Sequence, residues 1–314
     1  MTETSVKILL IKLFSMLTKN QQLEIIEELN KKIKTLNILK QKSNNMYQKI
    51  LNINNIHVKD VNNTIEQYKK FAAWTIKFNL LKAAVSYLKH VPILVDLATG
   101  RGNDLKKWFD LKISRVIGID IDPAQHKEAI NRYRNSFYKQ VKVSYILGSA
   151  TDYNLVRRSL NYKTVNLITN NFAMNYFFKD QATIDIFFKT VSDSLTSGGL
   201  FIGTATDGDV ITFLIKNNIL KTQLFQIEPE GYNSYKFKLE TPFFKSNESD
   251  ESHFITEYII NKDTLVLNAK KFGLEPISII NGLEPIFNFT EDLNCNDNIY
   301  SIASLYFGFS FIKK

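Results

Sequence analysis

Cysteine is nearly absent. The single one, Cys295, in a chain of 314 residues excludes a disulfide framework and any zinc site built on several thiolates, and it fits a reducing, cytoplasmic compartment. The four histidines fall in "IHV", "HVP", "DPAQH" and "SHF" without ligand spacing, so no metal centre is expected. Long apolar runs are missing too. The apolar start "MTETSVKILLIKLFSMLTKNQQ" is broken by Lys7 and Lys12 and carries no small-residue cleavage site, so neither a membrane span nor a signal peptide is expected. A G-x-x-x-x-G-K-[ST] loop is absent, which argues against a nucleoside triphosphatase. No Ser-His-Asp or paired-carboxylate constellation stands out.

What is present describes a globular chain with an anionic partner. A hydrophobic content of 44% is enough to fill a core, and the formal charge of +9 favours phosphates, nucleic acid first among them. Residues 1–65 place Leu9, Leu13, Leu17, Leu23, Ile26, Leu29, Ile33 and Leu36 at helical spacing, which predicts a helical N-terminal extension or linker of one or two helices. Residues 66–314 alternate. "ILVDLA", "RVIGIDI", "VKVSYIL", "VNLITNN" and "GLFIGTA" read as buried strands, with "DPAQHKEAINRYRNSF", "DQATIDIFFKTVSDSL" and "GDVITFLIKN" as helices between them. That order predicts an α/β fold with a doubly wound, mostly parallel sheet. Beyond about residue 222, "TQLFQIE", "SYKFKLE", "SHFITEYII" and "IYSIASLYFGFSFI" suggest antiparallel strands that complete or extend the sheet, and "FFKSNESDESHF" an acidic loop.

In such a sheet the ligand sits beyond the carboxyl ends of the strands, at the first strand-to-helix turn. That turn is "LVDLATGRGNDLKKW", where Gly100 and Gly102 allow close backbone approach. Asp120 ends the second strand, where a carboxylate can accept from both ribose hydroxyls, and Asp152 follows the third, within reach of an adenine amino group. Asp96, Asp120 and Asp152 in order outline an adenosine, although each singly is equally well a helix cap or a surface carboxylate. Leu105 occupies the third position of G-x-G-x-x-G, so a dinucleotide is not signalled. Asp96 would sit poorly beside phosphates and well beside the ammonium of a methionine moiety. S-adenosylmethionine fits these positions best.

"VDLATGRGNDLKKW", "GIDI", "ATDY" and "NNFAMNYFF" as an ordered set resemble the mRNA cap guanine-N7 methyltransferases, from "WTIKFNLLKAA" to the C-terminal "YFGFSFIKK". The resemblance implies a class I, Rossmann-like S-adenosylmethionine-dependent methyltransferase with a seven-stranded sheet. It implies transfer of a methyl group to N7 of the terminal guanosine of GpppN-capped RNA, leaving S-adenosylhomocysteine, by proximity and without a catalytic base. It places Lys77, Asp96, Gly100, Gly102, Asp120, Ile121, Asp152, Tyr153, Asn171 and Phe172 at the cofactor. It places Lys107, Arg132, Phe172, Asn175, Tyr176, Glu257 and Tyr306 at the capped 5′ end of RNA. The Asn, Lys, Ile and Phe bias is similar to the methyltransferase portion of capping enzymes of large cytoplasmic DNA viruses. It implies triphosphatase and guanylyltransferase domains upstream in the same chain and a location in host cytoplasm, viral factory or virion.

Ala98, Thr99, Asn103 and Asn175 depart from the family pattern, the last replacing a histidine by an amide that cannot carry charge. Plainer readings stay open: Phe172 and Tyr176 as a core stripe, Lys107 and Arg132 as solvated helix faces, Glu257 as a water-facing strand residue, Tyr306 as a core aromatic. Two other functions also stay open, methylation of a different acceptor and a catalytically silent cap-binding or RNA-binding subunit.

Overall fold

The computed structural model describes residues 17–51, 60–240, 253–290 and 297–314, with Phe14, Val58, Leu293 and Cys295 singly. It comprises two compact units, Met1–Lys49 and Ile50–Lys314. The described part of the first is essentially one helix, α1 (Lys19–Leu51), on which Leu23, Ile26 and Leu29 are exposed. The division falls earlier than the expected 65/66 boundary. Asp60 caps α2 (Val61–Lys70) by accepting the Asn63 N–H at 2.9 Å, and Thr64, Ile65 and Tyr68 are buried in the larger unit. From α2 the helix continues through a π-helical stretch, Phe71–Phe78, into α3 (Asn79–Leu88).

The alternating region builds β1 (Ile93–Leu97), α4 (Leu105–Asp110), β2 (Arg115–Asp120), α5 (Pro123–Arg134), β3 (Lys142–Leu147), α6 (Tyr153–Ser159) and β4 (Val165–Asn171). A 3₁₀ turn (Met174–Phe178), α7 (Gln181–Ser194), β5 (Leu195–Thr206) and α8 (Gly208–Lys216) follow. The five strands are parallel, in the order β5-β4-β1-β2-β3. β1 and β2 are buried on both faces after their first residue, which is why they read as continuous apolar runs, whereas the edge strand β3 stays partly exposed. The order reverses between β1 and β4, and the crevice of a doubly wound sheet lies at that reversal.

The last third departs from expectation in three ways. β6 (Phe225–Glu230), β7 (Ser234–Leu239) and β8 (Ile255–Tyr258) do not extend the main sheet but form their own antiparallel one. The main sheet has eight strands instead of seven: β11 (Tyr306–Lys313) runs antiparallel beside β5, and β9 (Leu274–Pro276) and β10 (Ile286–Asn288) pair with different parts of it. "IYSIASLYFGFSFI" starts as a helix, α10 (Asp297–Ala303), and a further helix, α9 (Lys262–Lys271), precedes β9. Both short helices bury residues three or four apart on one helical face, Leu265 with Ala269 and Ile299 with Ile302, but runs this short do not separate the helical period from that of a strand. Most of the acidic "FFKSNESDESHF" segment lies outside the described residues. No described helix is long and apolar enough to cross a membrane, and no described cluster of His, Cys, Asp or Glu is arranged for a metal.

Candidate active site

The turn after β1 is built on left-handed backbone. Ala98, Gly100 and Gly102 have φ of 58°, 56° and 69°. A Cβ on Gly102 would stand 2.6 Å from the Tyr145 hydroxyl oxygen, so only glycine fits there. Asp120 fastens the turn from β2: its Oδ2 accepts the Gly100 N–H at 2.6 Å and its Oδ1 the Asp122 N–H at 2.9 Å. Beside this buried carboxylate Ile121 is 70% exposed, giving an apolar surface of the sort a purine face covers. Asp152 caps α6, its Oδ1 accepting the Leu155 N–H at 2.9 Å. The Tyr153 hydroxyl donates to Asp193 Oδ2 at 3.0 Å, and Lys189 stands over its ring.

Below the turn the pKa values of two buried carboxylates are shifted in opposite directions. Asp96 Oδ1 accepts the Thr169 hydroxyl at 2.6 Å; burial, aided by the charge of Asp104, raises its pKa to about 6. Asp104 is buried as well, but ion pairs with Lys77 and with Lys107, the latter at 2.8 Å, hold its pKa down to about 2. Lys77 belongs to the π-helical stretch, a widened turn that often marks functional positions. Lys107 is 4% exposed and lies 4.9 Å from the centre of the Trp74 ring. It is therefore no solvated helix face, and it groups with Lys77 rather than with Arg132. Lys77, Asp104, Lys107, Trp108, Thr169 and Asn171 line a small cleft that opens to solvent.

The two shifts act in different pH ranges. Asp96 binds its proton more tightly in the folded chain, so its ionisation weighs against folding as pH rises from about 4 to 6; Asp104 contributes stability above about pH 4 and loses it as pH falls towards 2. Denaturant titrations should show Asp96→Asn removing the loss between pH 4 and 6, on the order of 1–3 kcal/mol, and raising stability at pH 7.5. A variant no more stable than wild type at pH 7.5 would contradict the raised pKa.

A second cluster forms at the neighbouring strand ends. Asn170 is in register with Leu97 of β1, and Phe172 stands two residues further on with φ of 58°, a strained value for a bulky residue. Its N–H donates to the carbonyl and hydroxyl oxygens of Thr204, both at 3.0 Å. The Phe172 ring meets Tyr306 edge-on at 5.2 Å, and Tyr306 stacks on Tyr68 of α2 at 5.7 Å. In the 3₁₀ turn Met174, Phe177 and Phe178 supply the core, while Phe172 is part-exposed and Tyr176 is 41% exposed. The core-stripe reading therefore belongs to their neighbours. The Tyr176 pKa is raised, by burial of its hydroxyl first and then by the charges of Glu257 and Asp120.

Glu257 is only partly exposed and is engaged by its neighbours rather than by water alone. Its Oε2 accepts the Tyr235 hydroxyl at 2.6 Å and the Thr206 hydroxyl at 3.0 Å; burial raises its pKa and these two bonds restrain the rise. Asn175 is 2% exposed, with its Nδ2 donating to Tyr258 O and its Oδ1 accepting from Thr206 N, each at 3.1 Å. Its amide is thus committed to backbone. Arg132 pairs with Glu128 at 2.7 Å, and Arg101 from the glycine turn pairs with the same carboxylate at 3.2 Å. Sequence reasoning missed Asp104, Arg101, Thr206 and Tyr235. The first two lie in the quoted glycine turn and were legible as charges there; the other two are 51 and 22 residues from Glu257 and carry no local signal.

The fold has the class I methyltransferase architecture. An S-adenosylmethionine-dependent methyltransferase from Clostridium acetobutylicum ATCC 824 superposes with a TM-score of 0.53 at 14% identity, covering 80% of this chain and 98% of that one. The PH0226 protein from Pyrococcus horikoshii OT3 gives 0.51 at 17%, covering 85% and 98%. Residues 18–288 match the family model of the mRNA (guanine-N(7))-methyltransferase domain, and the chain belongs to that family. The mRNA cap guanine-N(7) methyltransferase of Schizosaccharomyces pombe is 29% identical over 68% of this chain and 61% of its own length. That of Saccharomyces cerevisiae is 26% identical over 65% and 50%, and that of Caenorhabditis elegans 36% over 40% and 34%. The chain thus spans between a third and three fifths of the length of these relatives.

Proposed function

We propose that the chain transfers a methyl group from S-adenosyl-L-methionine to N7 of the terminal guanosine of GpppN-capped RNA. The observation that carries this reading is adjacency: the glycine turn after β1 and the Phe172–Tyr306–Tyr176–Glu257 cluster open at the same ends of neighbouring strands, where Asn170 and Leu97 are in register. The residues fit the cofactor. Gly100 and Gly102 give the turn the left-handed backbone that holds it open at the end of β1, Asp120 offers a buried carboxylate beside the exposed Ile121, and the side-chain amide oxygen of Asn170 is buried without a hydrogen-bond donor among the described residues. Lys77, Asp96, Gly100 and Gly102 would hold the methionine part, Asp120 the ribose, Ile121, Asp152 and Tyr153 the adenine, with the backbone of Asn171 and Phe172 alongside.

S-adenosylmethionine supplies an electrophilic methyl group on sulfur. Guanine N7 keeps a lone pair in the neutral base, so no side chain has to remove a proton. The chain's part is to hold the base and exclude water, an orientation effect that reaches about 7 to 11 kcal/mol in well-aligned systems. Phe172, Tyr176 and Tyr306 pack around the base, Glu257 accepts its N–H groups, and its negative charge favours the positive charge that the base gains. Arg132 and Arg101, which share Glu128, would turn to the triphosphate bridge. Lys107, held between Asp104 and Trp74, serves the cofactor side, and Asn175 acts through the backbone that it binds.

The same reading extends to origin: the residue bias supports the methyltransferase portion of a multifunctional capping enzyme of a large cytoplasmic DNA virus such as African swine fever virus, acting in host cytoplasm. Competition tests the acceptor. GpppA should displace labelled capped RNA, whereas ApppA and pppA should not; equal displacement by all three would move recognition from guanine to phosphate.

A further inference from the structure

The carboxylate of Glu257 is held through one oxygen. The hydroxyls of Tyr235, on β7, and Thr206, the last residue of β5, both donate to Oε2, and Oε1 accepts from no described residue. Thr206 is itself fixed, because its N–H donates to Asn175 Oδ1 while Asn175 Nδ2 donates to the carbonyl of Tyr258, the residue after Glu257. One buried amide thereby spaces β5 from β8. A carboxylate oxygen carries two lone pairs, so two hydroxyl donors occupy Oε2 and leave Oε1 as the acceptor.

We propose that Thr206 and Tyr235 are positioning residues that lock the Glu257 carboxylate so that a single oxygen, Oε1, reads the N–H edge of guanine, with Asn175 spacing the two strands. This rests on the guanine-binding reading above. The groups around Glu257 are the hydroxyls of Tyr235 and Thr206, Tyr306 from β11, Tyr176 from the 3₁₀ turn and Tyr68 from α2. Both hydrogen bonds favour its ionised form. Deleting either hydroxyl therefore frees the carboxylate to rotate and moves its protonation to higher pH.

Calorimetric titration of GpppA from pH 5 to 8 tests this on wild type, Thr206→Val, Thr206→Ser, Tyr235→Phe and Glu257→Ala, with S-adenosylhomocysteine binding as the check of folding. Thr206→Val and Tyr235→Phe should each weaken GpppA about tenfold and shift the acid limb of binding upward in pH, with S-adenosylhomocysteine affinity unchanged. Thr206→Ser should restore both affinity and limb. Should Thr206→Val fail the folding check, Tyr235→Phe carries the comparison. Wild-type affinity and an unshifted limb in Tyr235→Phe, alongside lost binding in Glu257→Ala, would overturn the positioning role and leave the guanine site standing. Wild-type binding by Glu257→Ala would instead remove the guanine site itself.

Discussion

Asp120→Ala should lose S-adenosylhomocysteine binding by at least about 100-fold, because hydrogen bonds to a charged acceptor are worth roughly 1.5–3 kcal/mol each. Two functions share this carboxylate. It is the ribose acceptor in the proposed site, and it already accepts the Gly100 and Asp122 N–H groups that shape the glycine turn. Asp120→Asn separates them, since the amide oxygen can still take the Gly100 N–H while the charge is gone, and should fall between wild type and alanine. Calorimetric titration gives the affinities and a thermal melt checks that the chain is folded. Tight binding by a folded Asp120→Ala variant would move the cofactor away from the end of β2.

Glu257→Gln should cut kcat/KM for capped RNA on the order of 100-fold and leave S-adenosylhomocysteine binding unchanged. Glutamine is no conservative change here. The Tyr235 and Thr206 hydroxyls need an acceptor, so they would capture the amide oxygen and turn the NH₂ group towards donors on the base. A buried donor facing donors costs more than the lost bond. Phe172→Ala removes the ring and leaves the backbone N–H to Thr204, so it should likewise keep the cofactor and lose transfer. Methylation at the wild-type rate by either variant would place the acceptor base elsewhere.

The legibility of the sequence follows interaction range. β1 to β5 and the helices α5, α7 and α8 are readable because each records its own burial in a local period, whereas α4 and α6 are too short to show one; Gly100, Gly102 and Asp120 are readable because a strand-to-helix turn is local too. The separate sheet β6-β7-β8 was not readable, since nothing within an alternating strand says which sheet it joins. The resemblance assigns Lys107 to the cap phosphates, whereas the structure sets it between Asp104 and Trp74; that placement depends on the π-helical stretch, whose register no periodicity announces. Asn175 shows the same limit. Its identity is plain in the sequence, but that both ends of its amide are occupied depends on β5 and β8 meeting across it.

The central claim is the acceptor atom, and the most direct measurement is transfer of labelled methyl from S-adenosylmethionine to three RNAs that differ only at the 5′ end: guanosine cap, N7-methylguanosine cap and triphosphate. The account predicts label on the first alone, recovered after digestion as N7-methylguanosine. Equal label on all three, or label recovered in any other nucleoside, would contradict it.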